Sequence, residues 1–406
     1  MTSTKFIQNK TALITLIAAC LVVLISLGVR QTFGLFFSDF KNDLDISLTE
    51  SGLAVGLQML MWGLTGPIFG AIADKYGGHK AIMLAFVFYI LGIYFLYSGP
   101  NTGIFFQIDM GLLVGIGLGG TAISIPMSIV GKHFPLSNRT IAMSLVTAVG
   151  SFGYFISPMY TSYSLINNGW IHTLYVFTIF LVIGLVIAFF VRSPSLSESI
   201  EKPSDQNTMS ALKEAFKTKS YVLLTAGFFV CGFHITLVGT HVPTYVIDRG
   251  LETWTAAAIL SLIGLFNIFG SLFSGYLSTK MKKKVILAAI YALRGISICL
   301  FIFLPASNIN AFIFGASFGF LWLSTVPATS GIVAHMFGTK HLGMLYGIVF
   351  LSHQIGSFFG SFLGGLFHDI YGSYDYAWYL AIALSIFAAI IHVPIKEEPV
   401  LRLKTD

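Results

Sequence analysis

The sequence predicts an all-α membrane protein with twelve transmembrane helices in two pseudo-symmetric six-helix bundles. Three observations support this fold class: the composition, the number of long apolar runs, and a basic loop that occurs twice. Of the 406 residues, 55% are hydrophobic and only 10% are charged, and the mean hydropathy is +0.83. A soluble core could not bury so much apolar surface, so most of it must face lipid.

The repeated loop relates the two halves of the chain. Its first copy runs from Gly70 to Lys80 and its second from Gly275 to Lys284, and each copy lies between two long apolar runs. Internal repeats of membrane helices are typical of secondary transporters that consist of two bundles. The repeat therefore indicates a class of protein before any question of substrate arises.

Twelve apolar runs are long enough to cross a bilayer, which takes about 20 residues of helix. Lipid cannot satisfy an open backbone, so each run is predicted to be helical. The predicted spans are 11–37, 51–73, 81–97, 103–129, 140–162, 170–191, 221–247, 255–278, 285–304, 310–334, 342–367 and 376–394. The polar segment 192–220 is predicted to be a cytoplasmic linker, with a short amphipathic helix near 211–216. It would divide an N-terminal bundle, 1–191, from a C-terminal bundle, 221–406.

The placement of Lys and Arg predicts the orientation in the membrane. Nearly all of the 23 basic residues lie in segments on the same side as the two termini, whereas the opposite loops hold only Lys41 and Arg249. The positive-inside rule then predicts a multi-pass protein of the cell inner membrane with both termini in the cytoplasm. Because the basic residues lie in short loops between spans, the net charge of +6 does not indicate binding to nucleic acid.

The first copy of the loop resembles the signature between the second and third helices of the major facilitator superfamily, with Gly78 and His79 in place of the usual basic residues. The segment from Phe134 to Arg139 resembles the companion loop after helix four. The resemblance covers nearly the whole chain, and it implies two bundles that rock about a central site. The residues predicted to control this conformational change (gating) are Gly70, Asp74, Lys75, Gly77, Lys80 and Arg139.

A physical role for this loop can be argued from its charges. Asp74 is an anion at a helix end, close to the basic residues of neighbouring cytoplasmic loops. Ion pairs there can hold the two bundles together on the inside and break when the carrier rocks. The alternative is that Asp74, Lys75 and Lys80 only set the topology and solvate a turn.

Two other stretches, 30–37 and 350–357, resemble bacterial carriers related to monocarboxylate transporters and oxalate/formate antiporters. The resemblance implies a small organic anion as substrate, in particular a monocarboxylate. Such carriers usually have a basic residue in helix eight that binds the substrate carboxylate. Ser271 stands at that position here, so another cation would have to take over this role.

Charges inside a bilayer are costly, which makes each one a functional candidate. Arg30 in helix one and Asp109 in helix four are predicted to lie at equal depth on neighbouring walls of a central cavity, where they could pair. In the functional interpretation Arg30 binds the anionic substrate and Asp109 gains or loses the coupling proton. In the alternative interpretation they form a fixed structural pair, or Asp109 reaches the outer interface.

The second half contributes four more polar candidates near the midplane. His234, Asn267, Arg294 and His353 are predicted to bind substrate together with Arg30, since each can hydrogen-bond a carboxylate. Arg294 could replace the missing cation of helix eight. The alternative is that these groups bond to the backbone or to one another between helices.

The leading functional hypothesis is a secondary active transporter of a small organic anion, by proton symport or anion exchange. Its predicted partners are the substrate, a proton or counter-anion, and the lipid bilayer, with the protein as a monomer. The competing hypotheses are an exporter of hydrophobic or drug-like compounds and a membrane sensor on a transporter scaffold. No nucleotide-binding loop, zinc-ligand spacing or catalytic triad is recognisable, so an enzyme, a cofactor and a metal are not predicted.

Overall fold

The computed structural model describes residues 10–100, 102–192, 208–338 and 341–400, and within these ranges the protein is helical with short connections. Eleven helices among the described residues are long and apolar enough to cross a membrane. One of them bends back on itself and forms two of the predicted spans. The predicted set of twelve spans in two bundles is therefore confirmed.

The first half contains helices α1 to α6. The helix bounds are α1 Lys10–Leu44, α2 Leu48–Tyr76, α3 Gly78–Ser98, α4 Gly103–His133, α5 136–168 and α6 170–188. Gly169 separates α5 from α6 at φ 78° and ψ 171°, a backbone conformation that glycine adopts without steric cost. This residue lets one continuous apolar stretch reverse direction, as the gap between the fifth and sixth predicted spans requires.

The second half contains helices α7 to α12 after a short amphipathic helix, Thr208–Lys217. Their bounds are α7 Lys219–Asp248, α8 Thr253–Leu277, α9 Lys283–Phe303, α10 Asn308–Phe337, α11 Leu342–Tyr371 and α12 Asp375–His392. The short helix confirms the amphipathic segment expected near 211–216. The rest of the predicted linker, 193–207, lies outside the described residues.

The two halves meet along two seams, α2 against α11 and α5 against α8. At the predicted outer face, the backbone amide and hydroxyl of Thr49 donate to the same Asp369 carboxylate oxygen over 2.7 and 2.6 Å. Further along, the backbones approach so closely that Gly52 leaves no room for a side chain beside Ser361. Contacts of this kind across the seam close the outer face.

The halves diverge toward the opposite, predicted inner face. One helix of each half is interrupted toward this end. The interruption lies near Ala122 in α4 and at Trp322–Ser324 in α10. Beyond each interruption, Ser124–His133 and Thr325–Phe337 pack mainly against helices of their own half. Near the inner end of α11, a Cβ at Gly343 or Gly347 would meet no atom within 4 Å. The conformation is therefore closed on the outer face and open on the inner face.

Candidate substrate site

The two seams are each joined by a buried amide near the middle of the membrane. In the α2–α11 seam, Gln354 Nε2 donates to the Met59 carbonyl oxygen over 2.8 Å. In the α5–α8 seam, Asn267 Nδ2 donates to Ser151 Oγ over 3.0 Å. Both hydrogen bonds join the first half to the second half. Polar groups of the two bundles therefore meet at this depth of the protein.

Arg30 lies beside the first of these seams and has no anionic partner. Its Nη2 atom donates to the thioether of Met59 over 3.2 Å, and its guanidinium lies close to the Tyr154 hydroxyl on α5. The residue is 8% exposed, and no Asp or Glu among the described residues pairs with it. A guanidinium has five N–H donors and a thioether is a weak acceptor, so Arg30 retains most of its capacity to bind an anion.

The predicted ion pair between Arg30 and Asp109 is not formed. Asp109 lies on a π-helical turn, Gln107–Leu113, that brings its backbone against α3, where its carbonyl oxygen would be 2.6 Å from a Cβ on Gly92. Arg30 reaches instead toward α2 and α5. The prediction of a pair was wrong because equal depth does not determine direction, and a π turn changes the direction in which side chains point. Asp109 as a whole residue is 6% exposed, and the ion pairs of the described residues do not include it.

His353 lies on the other side of the α2–α11 seam. Its Nδ1 is 3.0 Å from Gln354 Oε1, and its ring stacks on Phe350 with centroids 5.6 Å apart. Because Gln354 also bonds to Met59, a continuous set of contacts runs from His353 through Gln354 and Met59 to Arg30. The structure thus connects two of the predicted substrate-binding residues across the seam.

Asn267 is the predicted substrate-binding residue of α8, and both the nitrogen and the oxygen of its side-chain amide form hydrogen bonds. In addition to the Ser151 contact, its Oδ1 accepts from the Leu323 backbone amide over 3.0 Å and from Ser271 Oγ over 3.2 Å. Leu323 lies in the interruption of α10, which frees its amide from helical bonding. Ser271, at the position where related carriers have a cation, therefore donates a hydrogen bond that helps to orient the Asn267 side chain.

Arg294 lies away from the seams, fully buried at 0% exposure. Its Nη2 donates to the carbonyl oxygens of Leu321 and Trp322 over 2.8 and 2.5 Å, and its guanidinium lies over the Tyr291 and Phe318 rings. These two carbonyls precede the α10 interruption. Arg294 thus bonds to the broken helix of its own half through Nη2, while its buried Nε and Nη1 atoms have no hydrogen-bond partner among the described residues. Its role in substrate binding stays a prediction.

The histidines of α7 bond within the second half. His234 Nε2 contacts the Ala381 carbonyl on α12 over 2.8 Å, and His241 Nε2 contacts the Ser361 carbonyl on α11 over 2.6 Å. Both residues are fully buried. His241 also packs edge-on against Phe37 of the first half, with centroids 5.7 Å apart, whereas the described hydrogen bonds of His234 stay within the second half. The role of His234 in substrate binding stays a prediction.

The predicted gating loop lies at the inner end of α2. Asp74 pairs with Lys132 of α4 over 2.7 Å, a contact within the first half. Gly77 adopts φ 99°, which explains why a glycine ends α2 at this turn. Arg139 donates to the Phe134 carbonyl over 3.4 Å.

The other predicted residues of this set are Gly70, Lys75 and Lys80, and the described ion pairs include neither lysine. With the inner face open, the loop does not bridge the halves, and its gating role stays a prediction.

Met59, Tyr154 and Gln354 are site residues that the candidate set lacks. Gln354 stands next to His353 in a run that carries the family resemblance, and a buried glutamine in a span is a signal that could have been used. The sequence gives no reason to choose Tyr154 over the other polar residues of α5. No feature of the sequence predicts a site role for Met59, because a methionine in an apolar run looks the same whether it faces lipid or a guanidinium.

The long apolar helices define a multi-pass membrane protein, and the family and relatives that it matches indicate a transporter rather than an enzyme. The sequence profile of the Major Facilitator Superfamily matches residues 19–325 and 295–405, so the chain belongs to this superfamily. It is 23% identical to monocarboxylate transporter 13 of Rattus norvegicus over 361 residues, which covers 87% of this chain and 82% of that protein. It is also 23% identical to the oxalate:formate antiporter of Oxalobacter formigenes over 362 residues, with coverage of 88% and 85%.

A solved structure supports the fold. A bacterial homolog of the human lysosomal transporter Spinster, crystallised in an inward-facing and unoccupied conformation, aligns with a TM-score of 0.77 at 15% identity, covering 95% of this chain and 97% of that chain. At this identity the similarity concerns the fold alone. The direction in which the cavity opens follows from the seam contacts described above.

Proposed function

We propose that the protein is a secondary carrier of a small organic anion of the monocarboxylate class. It works in an inner membrane by alternating access, as a proton symporter or an anion exchanger. The observation that carries the proposal is Arg30, a buried guanidinium at the bundle interface whose described acceptor is a thioether. The similarity to a monocarboxylate transporter and an oxalate:formate antiporter supports the same substrate class.

A carboxylate is the ligand that suits this environment. It offers two oxygens to the parallel N–H groups of a guanidinium, and such charge-assisted bonds are about twice as strong as neutral ones. To bind, the anion displaces the Met59 thioether, a weak acceptor whose loss costs little. His353 and the Tyr154 hydroxyl lie next to the same contacts and would supply the remaining hydrogen bonds.

The contacts along the two seams change during the proposed transport cycle. In the inward-open conformation the substrate enters or leaves from the inner face, while Thr49 and Asp369 hold the outer face closed. Rocking of the halves would open that contact and close the inner face around the central site. We assign the gating role to the loop from Gly70 to Lys80 in the conformation that closes the inner face.

Asp109 is the proposed proton-coupling residue. It is a buried carboxylate inside a span with no ion-pair partner among the described residues, a situation in which a proton is the simplest source of neutrality. Because Asp109 and Arg30 do not touch, coupling would act through the packing of α3 and α4 rather than through a direct pair.

Transport by reconstituted protein tests the proposal. Proteoliposomes would be assayed for uptake of a labelled monocarboxylate panel with and without an inward proton gradient. We expect uptake by the wild type, loss of uptake in Arg30→Gln, and retention in Arg249→Gln. The second variant is the matched control, because Arg249 bonds only to Tyr245 and backbone carbonyls near the outer face.

The pattern of uptake separates the mechanisms. Stimulation by the gradient, lost in Asp109→Asn, indicates proton symport. Uptake only into counter-loaded liposomes, indifferent to pH, indicates exchange and removes Asp109 from the mechanism. No uptake of any panel member, or equal uptake by Arg30→Gln and wild type, would overturn the proposal and direct the search to the export of apolar compounds.

A further inference from the structure

A large cavity lies at the predicted inner membrane surface, away from the central site. It measures about 950 Å³, within the range of ligand-binding cavities. One wall is the short helix Thr208–Lys217, the floor is the start of α7 and the end of α10, and the other wall is the segment 394–400. That segment is held in place because Lys396 N donates to Ser220 Oγ over 2.9 Å and Val400 N donates to the Met336 carbonyl over 3.0 Å.

Lysines dominate the charge of this cavity. Four of them line it, and they are Lys213, Lys217, Lys219 and Lys396. Two glutamates also line it, yet the described ion pairs include none of Lys213, Lys217 and Lys219. Ammonium groups gathered around one cavity repel one another, so an anion that enters it is attracted to several lysines at once.

The short helix also presents apolar side chains outward. Met209 and Phe216 are 57% and 53% exposed, although both are large and apolar. They are seven residues apart, two helical turns, and so share a face, with Lys213 between them. The opposite face is anchored to the protein, since Ala211 and Ala215 are buried.

This combination is typical of a helix that lies in the membrane interface. Exposed apolar side chains enter the boundary between headgroups and acyl chains, while lysines next to them attract anionic lipid. The ends of α7, α10 and α12 place the cavity at the level of the headgroups. A free phosphate would satisfy the lysines but would leave Met209 and Phe216 exposed to water.

We propose that the cavity binds the phosphate-bearing headgroup of an anionic phospholipid from the adjoining leaflet. Lys213, Lys217, Lys219 and Lys396 hold the phosphate, and Met209 and Phe216 contact the acyl chains of the same lipid. This site is independent of the transported substrate and of Arg30.

Native mass spectrometry of the full chain tests the proposal, with phosphatidylglycerol, phosphatidylcholine and inorganic phosphate as probes. We expect the wild type to retain phosphatidylglycerol in preference to phosphatidylcholine. Lys213→Gln/Lys217→Gln should weaken this retention about 30-fold, since each lysine near a headgroup contributes about fivefold. The matched control is Lys280→Gln/Lys282→Gln, which removes two exposed lysines from another loop of the same face and should leave retention unchanged.

A second variant keeps the two sources of phosphate distinguishable. Met209→Ala/Phe216→Ala should weaken phosphatidylglycerol binding several-fold and leave any binding of inorganic phosphate unaltered. Equal loss of lipid in the cavity and control lysine variants would overturn the proposal, because the attraction would then be non-specific. Displacement of the lipid by inorganic phosphate at equal concentration would also overturn it, in favour of a site for a free anion.

Discussion

Arg30 and Arg294 lie well inside membrane-spanning helices, and the structure gives them opposite surroundings. Arg30 in the first half is at the interface of the bundles, slightly exposed, and bonded to a thioether. Arg294 in the second half is fully buried and bonded to two backbone carbonyls. We expect from this difference that Arg30 acts on a ligand and that Arg294 stabilises the fold.

The internal repeat makes the comparison sharper. Aligning the two loops on Gly70 and Gly275 places Tyr89 of α3 opposite Arg294 of α9. Tyr89 donates from its hydroxyl to the Ser26 carbonyl over 3.1 Å, beside the Ser26–Thr121 contact near the interruption of α4. At the corresponding place the first half has a tyrosine bonded to α1 beside a contact between two hydroxyls, and the second half has a guanidinium bonded to its broken helix. The cation of the first half lies elsewhere, on α1, beside the Met59 thioether and the Tyr154 hydroxyl.

The largest expected effect is on transport in Arg30→Gln. Loss of two charge-assisted hydrogen bonds to a carboxylate, each worth about 1.5–3 kcal/mol, predicts at least a 100-fold fall in kcat/KM for anion uptake. The thermal unfolding midpoint should move little, because the described partners of Arg30 are a thioether and a neutral hydroxyl rather than a carboxylate. Uptake kinetics and thermal denaturation in parallel would check this. A large loss of stability would make Arg30 a structural residue and remove the contrast with Arg294.

Arg294→Gln should show the reverse pattern. It leaves the Leu321 and Trp322 carbonyls buried without donors, which predicts a loss of about 2 kcal/mol in the free energy of unfolding. The KM of the variant that remains folded should stay near that of the wild type. Arg294→Lys, which keeps one charged donor, should recover part of the stability. A KM raised as strongly as in Arg30→Gln, with unchanged stability, would instead place Arg294 in contact with the substrate.

An intermediate effect is expected for Asn267→Ala, because Asn267 connects the two environments. The variant loses the bond to Ser151 across the seam and the bond to the Leu323 amide at the α10 interruption. Two bonds of about 1 kcal/mol predict a fall in transport rate of roughly tenfold or more. Ser271→Ala removes only one donor to the same oxygen and is the control, for which we expect less than half the effect in free energy. Equal rates for Asn267→Ala and wild type would show that this seam does not limit the cycle.

The smallest expected effect on stability is that of Asp74→Asn. Asp74 and Lys132 are exposed by 69% and 48% at their side chains, so their ion pair contributes less than about 1 kcal/mol. If the loop gates the inner face, transport should nonetheless fall several-fold, because the carboxylate acts in the conformation that closes this face. Lys132→Gln removes the observed ion pair and keeps the carboxylate, so it should transport faster than Asp74→Asn. Identical rates for the two variants would limit Asp74 to its pair with Lys132.

The sequence by itself determined the twelve spans, the two halves and the superfamily, since these depend on hydropathy and on a repeated loop that can be recognised locally. It also identified Arg30 as a buried cation, because any charge inside an apolar run is conspicuous. The amphipathic helix before α7 followed from the same local signals.

Only the tertiary structure decided which polar groups meet. Arg30 and Asp109 have matching depths, yet the π turn in α4 directs the Asp109 backbone toward α3. Arg294 and Arg30 look alike as charges in apolar runs, and the interruption of α10 gives only Arg294 two backbone carbonyls as partners. Met59 became part of the site through its sulfur and its carbonyl. The physical reason is that hydropathy reports the cost of leaving water, while partners depend on helix rotation and on backbone groups freed where helices break.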